Sequence, residues 1–221
     1  MAIFSPSMMC AQFGNLIQEV HYLEEAGADR LHLDVMDGKF VSNFAMGLND
    51  VNCIARVSSI ETELHLMIEN PSKYIQLFAD TGVDIIFIHP ESEYHPIMAL
   101  QKIIETGKTP GIVLNPGTSI ESVVELLNIA KKVLIMGVTP GHAGQIYLPY
   151  VDKKIEKILK IKDKYRLEIA IDGACSQELI EQWYRAGVDG FVLGTAALFG
   201  HPGTYRENIT RLRKICGDDY E

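Results

Sequence analysis

Short apolar segments alternate along the chain with amphipathic segments, and each kind occurs eight times. The apolar segments are rich in Ile, Val and Leu, which is typical of parallel strands covered by helices. They predict strands over residues 3–9, 29–36, 61–67, 84–89, 109–114, 132–138, 168–172 and 190–194. The amphipathic segments predict helices over residues 13–25, 48–57, 71–81, 96–106, 119–130, 150–165, 176–186 and 204–216.

The number of strand–helix units indicates the fold class. Three predicted helices are followed by Gly, then Ala or Val, then Asp, at residues 27–29, 82–84 and 187–189. Glycine just past a helix supplies the left-handed turn that returns the chain to the sheet. Eight units in 221 residues predict an α/β fold, a single (β/α)₈ TIM-barrel domain over residues 1–221. An open doubly wound sheet is the alternative, although it usually has fewer strands.

Composition and charge narrow the classes of partner. The net charge of −9 with no basic stripe argues against nucleic acid. No apolar run reaches the roughly 18 residues of a membrane span, and the first residues do not resemble a signal peptide. Four scattered cysteines without a CxxC pair indicate reduced thiols, so we expect a cytoplasmic protein. The charge of an anionic ligand would have to be met locally, by backbone amides or a metal.

Four metal-binding residue types stand at the ends of three predicted strands: His32, Asp34, His65 and Asp172. Residues two apart in a strand share a face, so His32 and Asp34 point the same way. One such residue is usually a satisfied polar group of the core. Four on three strands are better explained by a shared cation, since every buried polar group needs a partner. We expect one divalent ion per chain, with zinc, iron, manganese and cobalt all compatible with imidazole and carboxylate ligands.

The two carboxylates suggest proton transfer. Asp34 and Asp172 lie on strands that are well separated around the barrel, so they would approach a substrate from opposing sides. One could remove a proton from a carbon while the other returns a proton to the opposite face. A metal would polarise a substrate carbonyl and stabilise the enediolate. Three strand-end methionines are either core packing or an apolar lid that excludes water: Met36, Met67 and Met136.

Glycine-rich turns follow the sixth, seventh and eighth predicted strands. One such turn alone is best explained as an ordinary chain reversal. Three on adjacent strands predict a phosphate site, because barrel enzymes often bind phosphate there. Ser7 ends the first strand and either contacts a substrate or caps the backbone. The predicted substrate-binding residues are Ser7, His65, Gly141, His142, Ala143, Gly144, Gly173, Ala174, Gly194 and Thr195.

Several motifs together resemble the ribulose-phosphate 3-epimerase family over residues 5–199. They are Leu-His-Leu-Asp-Val-Met-Asp-Gly at 31–38, His-Leu-Met at 65–67, Pro-Gly-x-x-Gly-Gln at 140–145, Asp-Gly at 172–173 and Gly-Thr at 194–195. The resemblance implies a metal-dependent barrel of the ribulose-phosphate-binding type that inverts C3 of ketose phosphates. It also implies that the four strand-end residues hold the metal, that Asp34 accepts the proton and Asp172 donates one, and that the chain forms a homo-oligomer.

Three departures from the family pattern bear on the substrate: Gly137, Ser42 and His142 replace the family's usual Thr or Ser, Pro and Phe. Three local features are closer to the allulose-6-phosphate 3-epimerase branch, namely His-Pro-Glu at 89–91, Asp-Gly-x-Cys at 172–175 and Gly-Thr-x-x-Leu-Phe at 194–199. We therefore expect D-allulose 6-phosphate as substrate, with D-ribulose 5-phosphate as the alternative.

Two rival functions would suit a phosphate-binding barrel. Metal-independent decarboxylases of the orotidine-phosphate type use an Asp-x-Lys-x-x-Asp strand, whereas residues 63–69 read Glu-Leu-His-Leu-Met-Ile-Glu, without lysine. The other rival is a sugar-phosphate-binding regulator without catalysis, which the fold alone would allow. Such a regulator would need no acid–base pair, so both rivals rank below an isomerase.

Overall fold

The computed structural model describes residues 1–217 and contains one nine-stranded sheet, curled round into a barrel. Its strands are β1 Ile3–Pro6, β2 Arg30–Asp37, β3 Phe44–Ala45, β4 Glu61–Met67, β5 Ile85–Ile88, β6 Thr109–Leu114, β7 Lys132–Met136, β8 Glu168–Asp172 and β9 Gly190–Leu193. Their order is β1-β9-β8-β7-β6-β5-β4-β2-β3, and every pair is parallel except β2 with β3. A parallel bridge between Ser7 and His32 and a hydrogen bond from the Asp29 amide to the Phe4 carbonyl join β1 to β2 and close the ring.

The helices surround the strands, as the predicted barrel requires. They are α1 Leu16–Glu25, α2 Leu48–Val57, α3 Ile75–Ala79, α4 Pro96–Glu105, α5 Asp152–Leu159, α6 Lys162–Tyr165, α7 Gln177–Ala186 and α8 Tyr205–Ile215. Their apolar faces pack on the outside of the sheet and form the largest hydrophobic cluster. Within residues 1–217, no helix is long and apolar enough to cross a membrane. Residues 218–221 of the predicted domain lie outside the described part.

Several predicted elements are shorter or different. The first strand ends at Pro6 rather than residue 9, because Met8–Cys10 form a 3₁₀ turn. The predicted helix over residues 150–165 is divided into a 3₁₀ turn at Pro149–Val151, α5 and α6. The short antiparallel strand β3 was not predicted, since two residues carry too little pattern to be detected.

The predicted helix over residues 119–130 is wrong as an α-helix. The segment consists of turns and a 3₁₀ helix at Val124–Asn128. Most of its backbone hydrogen bonds span three residues, as from the Leu126 amide to the Val123 carbonyl, and one, from the Ala130 amide to the Leu126 carbonyl, spans four. Ser122 also bonds through its hydroxyl to the carbonyl of Ser119. Branched side chains and serines that bond to nearby backbone both weaken an α-helix, which explains the difference.

The barrel interior is polar on one side and apolar on the other. The apolar side is a cluster that contains no helical residue: Ile85, Phe87, Val113, Leu134, Met136, Val138 and Val192. The polar side begins at the barrel floor, which we define as Arg30, Glu61, Lys132 and Glu168, each the first residue of its strand. The buried Arg30 donates to Glu61 and, through two nitrogens, to Glu168, which also accepts from Lys132. The floor therefore ties together four strands that are far apart in sequence.

Gly111 marks a tight point inside the barrel. It pairs with Phe87 across β5 and β6, and a Cβ atom at position 111 would lie 2.3 Å from the Phe87 ring. We expect Gly111→Ala to lower the free energy of unfolding by about 1–3 kcal/mol, because overpacking forces the ring aside. Thermal unfolding measures the effect, with Gly117→Ala as the control, since position 117 has open space around it. Equal melting temperatures for the two variants would contradict this account.

Candidate active site at the mouth of the barrel

The register of two neighbouring strands places the first three candidate ligands. In the β2–β4 pair, Asp34 stands opposite His65 and His32 stands opposite Glu63. Asp172 is the last residue of β8, which is separated from β2 by β9 and β1. Because the strands are parallel, their carboxyl ends meet at one end of the barrel. The four side chains consequently converge there, as the sequence predicts, although they come from different parts of the wall.

The distances in this cluster fit a divalent cation. One ligand atom from each of His32, Asp34, His65 and Asp172 can be chosen so that all four lie within 4.8 Å of one another. His32 Nε2 is 3.3 Å from Asp34 Oδ1 and 3.4 Å from His65 Nδ1. Ligand atoms about 2.0 Å from a tetrahedral zinc ion lie about 3.3 Å apart. Two imidazole nitrogens and two carboxylate oxygens at this spacing are therefore compatible with a metal, and several metals share this preference.

The electrostatics of the cluster keep Asp34 ionised. Burial alone would raise the pKa of Asp34, but the charge of His32 and hydrogen bonds with His32 and His65 lower it well below its usual range. The Ser7 hydroxyl donates to the other oxygen of Asp34 at 2.6 Å. Burial would lower the pKa of His32, but Asp34 and then Glu63 raise it well above its usual value. The protein groups alone thus produce an ionised carboxylate, which is the form needed in a base and in a metal ligand.

A pocket above the cluster contains most of the predicted substrate-binding residues. Its lining includes Ser7, Gly141, His142, Ala143, Gly144, Gly173, Ala174, Gly194 and Thr195, together with Asp34 and Asp172. His65 is fully buried and does not line the pocket, so its contact with a substrate stays a prediction. Among the described residues, the lining contains no Lys or Arg. An anion bound there would meet backbone amides or a cation, as the negative composition suggests.

The loop after β7 is held in place by two amide side chains. Gln145 donates to the carbonyls of Thr139 and His142, and Asn43 donates to the carbonyl of Gly141. Gly141 has a φ of 118°, a conformation that favours glycine. Asn43 lies between β2 and β3. The turn that follows β2, the strand of His32 and Asp34, therefore supports the predicted phosphate loop.

The three predicted lid methionines all line the pocket and are buried: Met36, Met67 and Met136. Met36 and Met67 pack with Val41 and Phe40 in a small apolar cluster at the mouth. Cys10 also lines the pocket and was not predicted to do so. Burial, and then the charges of Asp34 and Asp172, raise the pKa of Cys10 to about 11, so its thiol is neutral near pH 7. The wall beside the carboxylates is therefore apolar and weakly reactive.

The departure at Gly137 has a structural explanation. A Cβ atom at position 137 would lie 2.6 Å from the Gly173 carbonyl oxygen and 2.9 Å from the Tyr147 ring. Tyr147 thus fills the space beside β7 that a larger residue would need. Its hydroxyl donates to Asp152 at 2.7 Å, which fixes the ring. In this chain, the Gly173 carbonyl and the Tyr147 ring therefore leave no room for a side chain at position 137.

Two buried polar residues lie beside the cluster, of which the sequence gives Glu63 no role and leaves His89 as either support for the cluster or part of a structural turn. Glu63 Oε1 lies 2.8 Å from His32 Nδ1, and His89 Nε2 lies 2.8 Å from His65 Nε2. A signal for Glu63 was present in the sequence, because Glu63 and His65 are two apart on one strand and share a face. His89 follows β5 directly, and of its two alternatives the sequence favours the turn, whereas the structure places His89 against His65. Burial, and then the charge of His65, lower the pKa of His89 well below its usual value, so His89 is neutral.

The fold and this pocket define a parallel α/β barrel with a cluster of imidazoles and carboxylates at the carboxyl ends of its strands. Comparison with solved structures supports the fold alone. Thiamine phosphate pyrophosphorylase from Pyrococcus furiosus aligns with a TM-score of 0.66 at 14% identity, covering 98% of this chain and 96% of that chain. Phosphoribosyl anthranilate isomerase from Thermus thermophilus aligns with a TM-score of 0.69 at 11% identity, covering 96% and 99%.

Sequence comparison gives the family. Residues 3–199 match the sequence model of the ribulose-phosphate 3 epimerase family. Ribulose-phosphate 3-epimerase from Helicobacter pylori is 39% identical over 193 residues, which is 86% of this chain and 88% of the relative. The enzyme of that name from Synechocystis is 37% identical over 215 residues, 96% of this chain and 93% of the relative. The chain belongs to the ribulose-phosphate 3-epimerase family, whose members are carbohydrate isomerases.

Proposed function

We propose that this chain inverts C3 of a ketose phosphate by moving protons between the substrate and two carboxylates, Asp34 and Asp172. The observation that carries the proposal is the meeting of these two groups. They arrive from strands separated by two others, yet their oxygens lie in one cluster at the base of one pocket. Epimerisation requires removal of a proton from one face of a carbon and return of a proton to the other face.

Each carboxylate has its own surroundings. Asp34 is 5% exposed at its side chain, is ionised by its neighbours and is oriented by the Ser7 hydroxyl. This favours Asp34 as the proton acceptor. Asp172 is 16% exposed and ends β8 beside the turn at Gly173, where it can exchange protons with a substrate or with solvent. This favours Asp172 as the group that returns a proton.

His32, Asp34, His65 and Asp172 would hold one divalent cation. When bound, the cation would polarise the substrate carbonyl and stabilise the negative charge that develops on the substrate oxygens after proton loss. The methionines at the mouth exclude water from that charge. The glycine-rich turns after β7, β8 and β9 allow backbone amides to approach the phosphate, in a wall without cationic side chains.

The test of this function is isotope exchange. The protein should incorporate solvent deuterium at C3 of a ketose phosphate while it interconverts the two epimers, which mass spectrometry and NMR measure. The rival function, a regulator without catalysis, would bind the sugar phosphate with no exchange. Binding without exchange in metal-loaded protein would therefore overturn the proposed reaction.

For the substrate, we infer a preference for D-allulose 6-phosphate, which is converted to D-fructose 6-phosphate. The support is the three local features near His89, Asp172 and Gly194, together with His142, an exposed hydrogen-bonding residue of the pocket lining. The names of the sequence relatives favour the alternative, D-ribulose 5-phosphate, which is converted to D-xylulose 5-phosphate. The two substrates differ by one hydroxylated carbon, so a single additional contact can decide between them.

We expect kcat/KM to be at least about 10-fold higher for allulose 6-phosphate than for ribulose 5-phosphate, because one extra contact is worth roughly that much discrimination. Initial rates on both compounds with one enzyme preparation measure the ratio. His142→Phe, which introduces the family's usual residue, should lower the ratio. A higher kcat/KM for ribulose 5-phosphate would establish the pentulose as the substrate and leave the reaction type intact.

A further inference from the structure

The two histidines of the cluster face it through different ring nitrogens. His32 presents Nε2, whereas His65 presents Nδ1, which lies 3.2 Å from Asp34 Oδ1 and 3.6 Å from Asp172 Oδ2. Behind each ring, the other nitrogen is 2.8 Å from a buried partner, Glu63 for His32 and His89 for His65. A neutral imidazole carries one proton, so the bond made by the rear nitrogen decides whether the front nitrogen has a lone pair.

We propose that Glu63 and His89 are positioning residues that set His32 and His65 in opposite tautomers, so that a cation meets His32 Nε2 and His65 Nδ1. The inference rests on the metal site of the proposed function and extends it to two residues that do not touch the cation. Partners behind a ligand histidine orient the ring and increase its basicity, and their loss typically lowers metal affinity about 10-fold to 100-fold.

Glu63 acts on His32 as a hydrogen-bond acceptor. A carboxylate oxygen accepts a hydrogen bond, so the contact at 2.8 Å places the proton on His32 Nδ1. The other oxygen of Glu63 lies 3.6 Å from Arg30 Nη1. Arg30 carries a positive charge at this distance, so it holds the Glu63 side chain in place beside His32. The barrel floor is thereby connected through Arg30 and Glu63 to the metal cluster.

His89 acts on His65 as a neutral acceptor. Only one proton fits between the two Nε2 atoms, 2.8 Å apart. If His65 Nδ1 carries a lone pair for the cation, that proton belongs to His65 Nε2, and His89 accepts it. The remaining proton of His89 is then on Nδ1, which is buried and has no hydrogen-bond partner among residues 1–217. Within the described part of the chain, the His89 side chain is therefore held only through Nε2, and its one hydrogen bond is the one to His65.

The direct test is NMR of the zinc-loaded wild-type protein labelled with ¹⁵N in histidine, which reports the protonated nitrogen of each ring. We expect a proton on Nδ1 of His32 and on Nε2 of His65. The same tautomer in both rings would overturn the inference. Because this measurement needs no variant, a substitution that fails to fold does not weaken it.

A second test compares zinc affinity by competition with a chromogenic chelator. We expect Glu63→Gln to weaken zinc binding about 10-fold or more, and Glu61→Gln to change it less than about 2-fold. Glu61 is the matched control because it is on the same strand and bonds to Arg30 but does not contact His32. His89→Leu should weaken binding about 10-fold, and His89→Gln, which keeps an acceptor, should restore part of it.

The outcomes separate this inference from the function on which it rests. Wild-type protein that binds no divalent metal would overturn the proposed metal site and the inference together. Wild-type protein that binds zinc, with Glu63→Gln and Glu61→Gln equal in affinity, would overturn the inference alone. A merely structural role for Glu63 would lower the melting temperature of Glu63→Gln while its zinc affinity stayed the same, and that result also counts against the proposal.

Discussion

Asp34→Asn is expected to lower turnover about 10³-fold and to stop deuterium incorporation at C3 of the epimer whose proton faces Asp34. An amide keeps the shape of the side chain and one oxygen near the cluster, but it cannot accept the substrate proton, and general base catalysis is typically worth 10²-fold to 10⁴-fold. The substituted side chain would also turn either its NH₂ group or its oxygen toward Ser7, whose hydroxyl now donates to Asp34 at 2.6 Å. Turnover and isotope exchange measured together test this result.

Asp172→Asn provides the complementary result. Asp34 can still remove the proton in this variant, so solvent deuterium should enter the starting epimer while inversion falls about 10³-fold. Asp163→Asn, at an exposed residue of α6, is the control and should leave both measurements unchanged. If Asp34→Asn and Asp172→Asn both retained inversion within a few-fold of wild type, the two-carboxylate mechanism would be wrong.

Removal of metal is expected to eliminate nearly all turnover while the barrel stays folded. The reason is that the four ligand residues are in one cluster at the mouth, whereas the large apolar core lies between the sheet and the helices. Returning zinc, manganese or cobalt should restore activity and raise the melting temperature, because a ligand present at 100 times its Kd stabilises the folded state by about 2.7 kcal/mol. Metal analysis measures the metal content, initial rates measure turnover, and thermal unfolding measures the melting temperature.

His65→Ala tests the same site by mutation. Loss of a residue that only supports a ligand typically lowers metal affinity about 10-fold to 100-fold. His65→Ala removes a ligand itself, so it should lower metal affinity by more than that. His21→Ala is the control, since His21 is on α1 with its side chain 48% exposed. Full activity after verified removal of all divalent metal would contradict the role assigned to the cluster.

The sequence predicts the barrel and the cluster well because both depend on local pattern. Strands buried on both faces are continuous apolar segments, and a polar residue at the end of such a segment is conspicuous, as with His65 and Asp172. The helix over residues 119–130 was predicted wrongly because its apolar spacing is compatible with a helix. Its serine side chains and branched residues instead favour bonds over three residues, an outcome that periodicity does not detect.

The supporting residues were harder to predict because they depend on register. Glu63 and His32 are far apart in sequence, and only the alignment of β2 with β4 places them opposite each other. His89 reaches His65 from the end of β5, and the pattern of that segment resembles an ordinary turn. The contact of Tyr147 with Gly137 likewise depends on how the loop after β7 folds back onto the strand. The spacing of residues along one segment does not predict such a contact.

The barrel floor has a consequence for behaviour in acid. The pKa of Glu168 in the folded protein is lowered, because bonds with Arg30 and Lys132 outweigh the effect of burial. The stability that Glu168 contributes is therefore complete above its unfolded pKa of about 4.3 and fades as the pH falls through the lower folded value. Arg30 keeps its proton throughout, so acid would leave its buried guanidinium without the charge of Glu168. Acid unfolding would then start at the end of the barrel opposite the cluster of imidazoles and carboxylates.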